Sequence, residues 1–405
     1  MKYKKLKSIY YEDKNKYKEK YELRINGDET VLLPLDVNDK RAFYVHNSQV
    51  AVMLDRISML SRDINEIVWK LPRIAVNFLK ESFLIDEIMT TYTMEGVHSS
   101  RREVFEALKT EDKSVRFFNL AKKYSKMLEN MELDLKEPKK LRELYDEIII
   151  DEIEEKNYPD GKFFRNGKVF VQGKTADGKV KHEGVRPPED NIILALEKAL
   201  SVMNMDDMPS LVKIAILHYY LGYIHPFYDG NGRMDRYISS CLIARYVNPL
   251  MAIRISNTIK AQKNRYDKLF DECNSKINCG DLTPFVIGFV DMVQDTAKNI
   301  LENLTNLESS LSMVQIKTLS NEEFVKKYDM KEIDKVLFYV LIQNDLFSEN
   351  GLTKAEIVGI LNGNGNYNKS AVERSLKKLL NTDLPIACER VSRHKVYNLV
   401  TSKLN

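Results

Sequence analysis

From about residue 80 to 155, and again from 190 to 310, apolar residues return every three or four positions through long stretches rich in Glu, Lys, Leu and Ile and poor in Gly and Pro. A stripe with that spacing buries only as one face of an α-helix, so the fold class is mainly α. The segment SQVAVMLDRISMLSRDINEIVWKL adds a further helix, with Val50, Val52, Met53, Ile57, Leu60, Ile64 and Val68 expected in the core. At about 150 residues per domain, 405 residues make two to three domains. We expect an N-terminal helical region over 1–75, a helical core over 76–310 and a C-terminal domain over 325–405. The polar stretch SSLSMVQIKTLSNEE reads as the linker before the last of these.

Charge narrows the function classes. Sixty-two Lys and Arg against 59 Asp and Glu leave a net charge of +3, too little for bulk attraction to nucleic acid or a membrane. Any anion site must be local. No apolar run approaches the roughly 18 residues of a membrane span, and the basic start MKYKKLKSIYYEDKNKYKEK has no apolar leader core. No membrane partner and a cytoplasmic location are therefore expected. Cys241, Cys273, Cys279 and Cys388 form no CxxC pair and lie at no metal spacing with His, which disfavours zinc and disulfides.

Two regions depart from plain helix. In FFRNGKVFVQGKTADGKVKHEGVRPP, Val169 and Val171 alternate, Asn166-Gly167 and Asp177-Gly178 are turn signals, and Pro187-Pro188 stops the run. A β-hairpin over 163–182 is expected, with Lys168, Val169, Phe170 and Val171 in its first arm. After residue 325, three helical patterns precede two candidate strands, PIACERV and KVYNLV, joined by Ser392-Arg393-His394. This is the order of a winged helix. Its third helix carries core candidates Val372, Leu376, Leu379 and Leu380 beside Arg374, Lys377 and Lys378. With Arg390, Arg393, His394 and Lys395 near the wing, DNA and protein both stay open as partners. GNGNYNKS, at 363–370, has Asn368 where a phosphate loop needs its second Gly, and reads as a turn capping the next helix.

The chemistry concentrates in LHYYLGYIHPFYDGNGRMDRYISSCLIARY, residues 217–246. Pro226 ends one helix and places His225 at its exit. Asp229, Gly230, Asn231 and Gly232 make a turn, and a new apolar-periodic helix begins near Arg233. Such a turn aims unpaired N–H groups and the positive end of a helix dipole at one point, which suits a phosphate. Arg233 and Arg236, three apart, share a face toward the same anion. Asp229 offers a hard oxygen for Mg²⁺, and His225, with a near-neutral pKa, is a candidate base. Singly these are ordinary features; jointly, nine fixed positions recur by chance on the order of 10⁻⁹ in a chain of this length.

That string, His225-Pro226-Phe227-x-Asp229-Gly230-Asn231-Gly232-Arg233-x-x-Arg236, resembles the signature of the Fic family of protein adenylyltransferases. The resemblance implies a Fic-fold helical core with a β-hairpin flap and transfer of AMP from ATP to a Ser, Thr or Tyr hydroxyl. By it, His225 is the general base and Asp229 holds Mg²⁺. Gly230, Asn231 and Gly232 cradle phosphates, Arg233 and Arg236 reach the β- and γ-phosphates, and Phe227 anchors the loop. TTYTMEGVHS resembles the inhibitory-helix motif of the class that carries it N-terminally: Thr91 and Glu95 lie on one face and Gly96 lets the chain turn. The implied role is that Glu95 pairs with Arg236 and removes an ATP anchor. The hairpin stands where the family's flap pairs with an extended target segment, and Tyr266 is the candidate ring contact for adenine.

The expected function is thus an auto-inhibited adenylyltransferase acting on a protein target, itself included. Removal of AMP, another nucleotidyl or phosphoryl transfer, and an ATP-sensing transcription regulator or toxin–antitoxin-like module stay open, as does a homo-oligomer.

Overall fold

The computed structural model describes residues 3–129, 133–172, 180–365, 367–391 and 394–404. The turn Asp177-Gly178 and the wing residues Ser392 and Arg393 lie outside them. The chain divides into two compact units, residues 1–61 with 84–298 and residues 62–83 with 299–405. The residues expected to form an N-terminal region are thereby shared between the two.

The first unit opens with α1 (Leu6–Glu12) and α2 (Lys14–Ile25), followed by an antiparallel hairpin of β1 (Thr30–Val37) and β2 (Lys40–Val45). Alternation in β1 buries Val31, Leu33, Leu35 and Val37 on one face. The amino-terminal segment is held by a buried ion pair, Arg24 to Asp281 at 3.0 Å, and by the Tyr3 hydroxyl donating to the same carboxylate at 2.7 Å. In α3 (Ser48–Lys70) Val50, Met53, Ile57 and Ile64 are buried as expected, whereas Val52 is exposed and Leu60 and Val68 are half-buried, so the apolar stripe is narrower than the sequence suggested. There follow α4 (Arg73–Met94), α5 (Arg101–Lys109), α6 (Phe118–Leu128) and α7 (Pro138–Ile148), then a single 3-10 turn over Ile150–Glu152.

The hairpin that interrupts the helices is present as β3 (Phe170–Gln172) paired with β4 (Val180–Glu183). Lys168 and Val169 precede the strand, although the Val169 carbonyl still accepts from Gly184 N–H at 3.1 Å. The apolar heart of the unit is α8 (Glu189–Ser201), α9 (Ser210–Ile224) and α10 (Asn231–Tyr246), packed with α9 central; eleven of the fifteen α9 residues are buried. A helix buried on every side has no polar face, which is why α9 reads as almost continuously apolar. The short helices α11 (Pro249–Ala252), α12 (Ile255–Ala261) and α13 (Lys263–Cys273) lead into α14 (Thr283–Lys317).

α14 corrects one expectation, because it runs without a break through residues 309–317, where a linker was anticipated. The stretch has no Gly or Pro, helix propagation needs only one further hydrogen bond per residue, and Leu311 is buried. In the second unit α15 (Glu322–Lys327) and α16 (Glu332–Phe347) precede β5 (Leu352–Thr353), α17 (Lys354–Gly365), α18 (Lys369–Leu380), β6 (Ile386–Val391) and β7 (His394–Leu399). The strands form an antiparallel sheet in the order β5-β7-β6, the element order of a winged helix. Asn368 caps α18, its side chain accepting from Ala371 N–H at 2.9 Å as expected, but residues 363–365 of GNGNYNKS belong to α17 rather than to the turn. Val372, Leu376 and Leu379 are buried and Leu380 half-buried. Of the basic residues on α18, Arg374 and Lys377 are exposed, while Lys378 is tied to Asp334 at 2.7 Å.

Candidate active site

Helix α9 ends at Ile224 and His225 turns left-handed, with φ of 53°. A non-glycine residue held there stores about 1–3 kcal/mol, so something must fix it. Arg165 does: its side chain is fully buried, and its four hydrogen bonds all go to main-chain carbonyls. Nε donates to His225 O at 2.7 Å, Nη2 to Ile224 O at 3.2 Å and Val185 O at 2.7 Å, and Nη1 to Gly167 O at 2.6 Å. The base of the hairpin and the end of α9 are thus one assembly. Glu189, opening α8, adds to it by accepting the N–H groups of Lys162, Phe163 and Phe164 at 2.6–2.7 Å. Burial, and then the positive charge of Arg165, push the His225 imidazole down to about 4. The ordinary pKa suggested by sequence is corrected, and the ring is neutral throughout the physiological range.

The loop after His225 is held from below. Phe227 is buried and stacks on Tyr145, with ring centroids 3.6 Å apart. The Asn231 side chain closes on Phe227, accepting its N–H at 3.0 Å and donating to its carbonyl at 2.8 Å. Gly230 adopts φ of 79°, and a side chain there would run into Ile149. No side chain caps α10, which begins at Asn231, so its first-turn N–H groups face the site. Asp229 is half-exposed; its Oδ1 accepts from Gly230 N–H, and no described residue bonds its Oδ2.

The two arginines differ. Arg236 is buried and fully engaged along one edge: Nε donates to Thr91 Oγ1 at 2.7 Å, and Nη2 donates to Thr91 O at 3.0 Å and to Glu95 Oε1 at 2.6 Å. Thr91 lies in the last turn of α4 and Glu95 directly follows that helix, after which Gly96 turns with φ of 79°. Glu95 also lies against Gly232, where any Cβ would strike its Oε1; only glycine in the first turn of α10 allows this approach. Burial opposes the Glu95 charge, but Arg236, with Arg233 and His225 behind it, brings the carboxyl below its ordinary value. Arg233, also buried, donates Nη1 to Glu152 at 2.9 Å and lies 3.5 Å from Asp229, and its Nε has no partner among the described residues.

Of the remaining expected residues, Tyr266 is half-buried with its hydroxyl 2.7 Å from His218 Nε2, and His218 in turn meets Asp235 at 3.0 Å. Phe170 is exposed on β3. The structure thus gathers His225, Asp229, Gly230, Asn231, Gly232, Arg233, Arg236, Thr91 and Glu95 around one loop. Sequence reasoning missed Arg165, Glu152 and Tyr92. Arg165, inside the hairpin segment, had a signal as an uncompensated charge between Phe164 and the turn; Glu152, in DEIIIDEIEEK, had none.

Among the described residues no helix is long and apolar enough to cross a membrane, no cluster of His, Cys, Asp or Glu forms a protein-only metal cage, and all four cysteines are free.

Residues 133–243 match the Fic/DOC family. Proteins described as protein adenylyltransferase Fic are similar to the chain: that of Drosophila willistoni is 28% identical over 224 residues, 53% of this chain and 39% of that protein. That of Drosophila virilis is 28% identical over 233 residues, 56% and 42% of the respective chains. The chain therefore spans about two fifths of the length of these relatives. The fold is shared with a Fic family protein from Desulfovibrio desulfuricans G20, with a TM-score of 0.51 and 16% identity over 88% of this chain and 97% of that one. The string from His225 to Arg236 lies inside the segment that matches the Fic/DOC family.

Proposed function

We propose that the chain is a protein adenylyltransferase, moving AMP from ATP to a Ser, Thr or Tyr hydroxyl of a protein target, and that Glu95 holds it inactive. The observation that carries this reading is the seat of the Glu95 carboxylate. It lies against Gly232 at the uncapped start of α10 and on Arg236 at 2.6 Å. A helix N-terminus with a buried arginine is an anion site, and an anion from the chain itself already sits in it. The names of the Drosophila relatives support the same chemistry.

When the carboxylate leaves, Arg236 and the α10 N–H groups are free for ATP phosphates. His225, neutral and fixed by Arg165, takes the proton of the incoming hydroxyl. The hydroxyl oxygen forms its bond to the α-phosphorus, the bond from that phosphorus to the oxygen bridging toward the β-phosphorus breaks, and its electron pair leaves with pyrophosphate. Arg233 and Arg236 hold the departing charge. Asp229 fits Mg²⁺, since one half-exposed carboxylate with an unbonded oxygen, completed by phosphates and water, is this ion's usual protein ligand set. Bound there, the ion supplies neutralisation of phosphate charge. The exposed β3 edge suits an extended target segment by strand addition, and the occupant is a protein rather than a small acceptor.

The test is position of label. The Glu95→Gly chain, incubated with Mg²⁺ and ATP labelled at the α- or γ-phosphate, is expected to transfer only the α-label to protein. Transfer of the γ-label means phosphoryl transfer, and transfer of neither refutes the reading.

A further inference from the structure

Arg233 and Arg236 sit one helical turn apart, yet their guanidinium groups are held in opposite ways. The Nε and Nη2 edge of Arg236 is closed by Thr91 and Glu95. In Arg233 the acid is on the other end: Glu152 takes Nη1 at 2.9 Å, Nε is buried and unpartnered, and Nη2 has only Asp229 at 3.5 Å. A guanidinium gripped at Nη1 keeps its Nε–Nη2 fork for a second, bidentate acceptor. Glu152 does not stand alone. The Tyr92 hydroxyl lies 2.6 and 2.8 Å from its two oxygens. The Tyr92 ring is completely buried against Phe117, with centroids 4.4 Å apart. Burial raises the Glu152 carboxyl above its ordinary value, and the Tyr92 hydroxyl and Arg233 counter only part of that.

We infer that Tyr92 and Glu152 are positioning residues: they hold Arg233 so that its open edge faces the phosphates of ATP, rather than braking it as Glu95 does Arg236. The inference rests on the nucleotide reading of the site given above. It also gives α4 two opposed duties, because Thr91 and Glu95 close one arginine while Tyr92, between them, orients the other. Removing the Glu95 side chain frees Arg236 and keeps Arg233 in place; displacing all of α4 frees Arg236 and loses the grip on Arg233.

Charge-preserving variants separate positioning from simple electrostatics. In the full-length Glu95→Gly chain, Tyr92→Phe removes the hydroxyl that orients Glu152, and Glu152→Asp keeps the carboxylate but shortens its reach. Affinities for ATP and for AMP, both with Mg²⁺, are measured by titration calorimetry. AMP lacks the phosphates that Arg233 would hold and reports whether the rest of the pocket is folded. Expected are a weakening of ATP binding by about tenfold in each variant and AMP binding within about twofold of the parent. ATP binding that is unchanged or tighter overturns the inference, as does a parallel loss of AMP. The two readings fail separately. An ATP-specific loss in a chain that transfers no AMP keeps the positioning pair and refutes the transferase, and normal transfer with no ATP-specific loss does the reverse.

Discussion

If Glu95 closes Arg236 as proposed, replacing Glu95 or Thr91 is expected to release that arginine by amounts that the contacts themselves fix. Glu95 makes one charge-assisted hydrogen bond to Arg236, at 2.6 Å, with its carboxylate mostly buried. Such bonds contribute about 1.5–3 kcal/mol, and each 1.4 kcal/mol is a factor of ten in the balance between closed and open arginine. In the proposed transferase, Glu95→Ala, which removes that acceptor outright, is therefore expected to raise the rate of AMP transfer by about 10- to 100-fold. Thr91 gives Arg236 a neutral hydroxyl acceptor at 2.7 Å, and its main-chain carbonyl survives substitution. Thr91→Ala is expected to remove about 0.5–1.5 kcal/mol and to raise the rate only about 2- to 10-fold. The assay is the initial rate of α-label incorporation at saturating ATP. The order Glu95→Ala above Thr91→Ala above wild type is the expectation. Thr91→Ala matching or exceeding Glu95→Ala would refute the assignment of the closure to the carboxylate.

Three further outcomes follow from the same contacts. Arg165→Lys, which cannot reproduce four bonds from one planar fork, is expected to cost roughly 2–3 kcal/mol in denaturant unfolding and to lower kcat in the Glu95→Gly background more than it raises KM for ATP. Because burial and Arg165 push His225 to about 4, the neutral base persists as pH falls, so the pH–rate profile of Glu95→Gly stays level down to about pH 5 and drops only near 4; a midpoint near 6.5 contradicts this. Glu87, fully buried on α4 and accepting from Ser256 N–H at 3.2 Å, is raised by burial to about 7. The folded chain therefore binds more protons than the unfolded one between the ordinary carboxylate range and pH 7, and the Glu87 contribution to stability declines as pH rises through 7. Melting curves from pH 6 to 8 are expected to show that decline in wild type and a smaller one in Glu87→Gln.

Much of the site was legible because its parts are consecutive. The turn from His225 to Gly232, the start of α10 and the spacing of Arg233 and Arg236 depend on local rules for Pro, Gly and helix periodicity, and the structure follows them. Thr91 and Glu95 were legible as a pair on one helix face. Arg165, Tyr92 and Glu152 were not, because each acts through residues 60 or 81 positions away or through main-chain carbonyls that no side-chain pattern records. The fold shows the same division. Long periodic stretches announced their helices, whereas the continuation of α14 through 309–317 was hidden by polar residues that line an exposed face without breaking a helix. Val52 shows the limit of apolar identity alone, since an exposed valine on α3 fits the same spacing as its buried neighbours.

The central claim is that Glu95 withholds Arg236 from a nucleotide that His225 would otherwise put to use. The most direct measurement is the intact mass of the full-length chain after incubation with Mg²⁺ and ATP, for wild type, Glu95→Gly and Glu95→Gly with His225→Ala. The account predicts a trace of added AMP on wild type, extensive addition on Glu95→Gly, and none on the double variant. No gain on Glu95→Gly over wild type, or undiminished addition without His225, would contradict it.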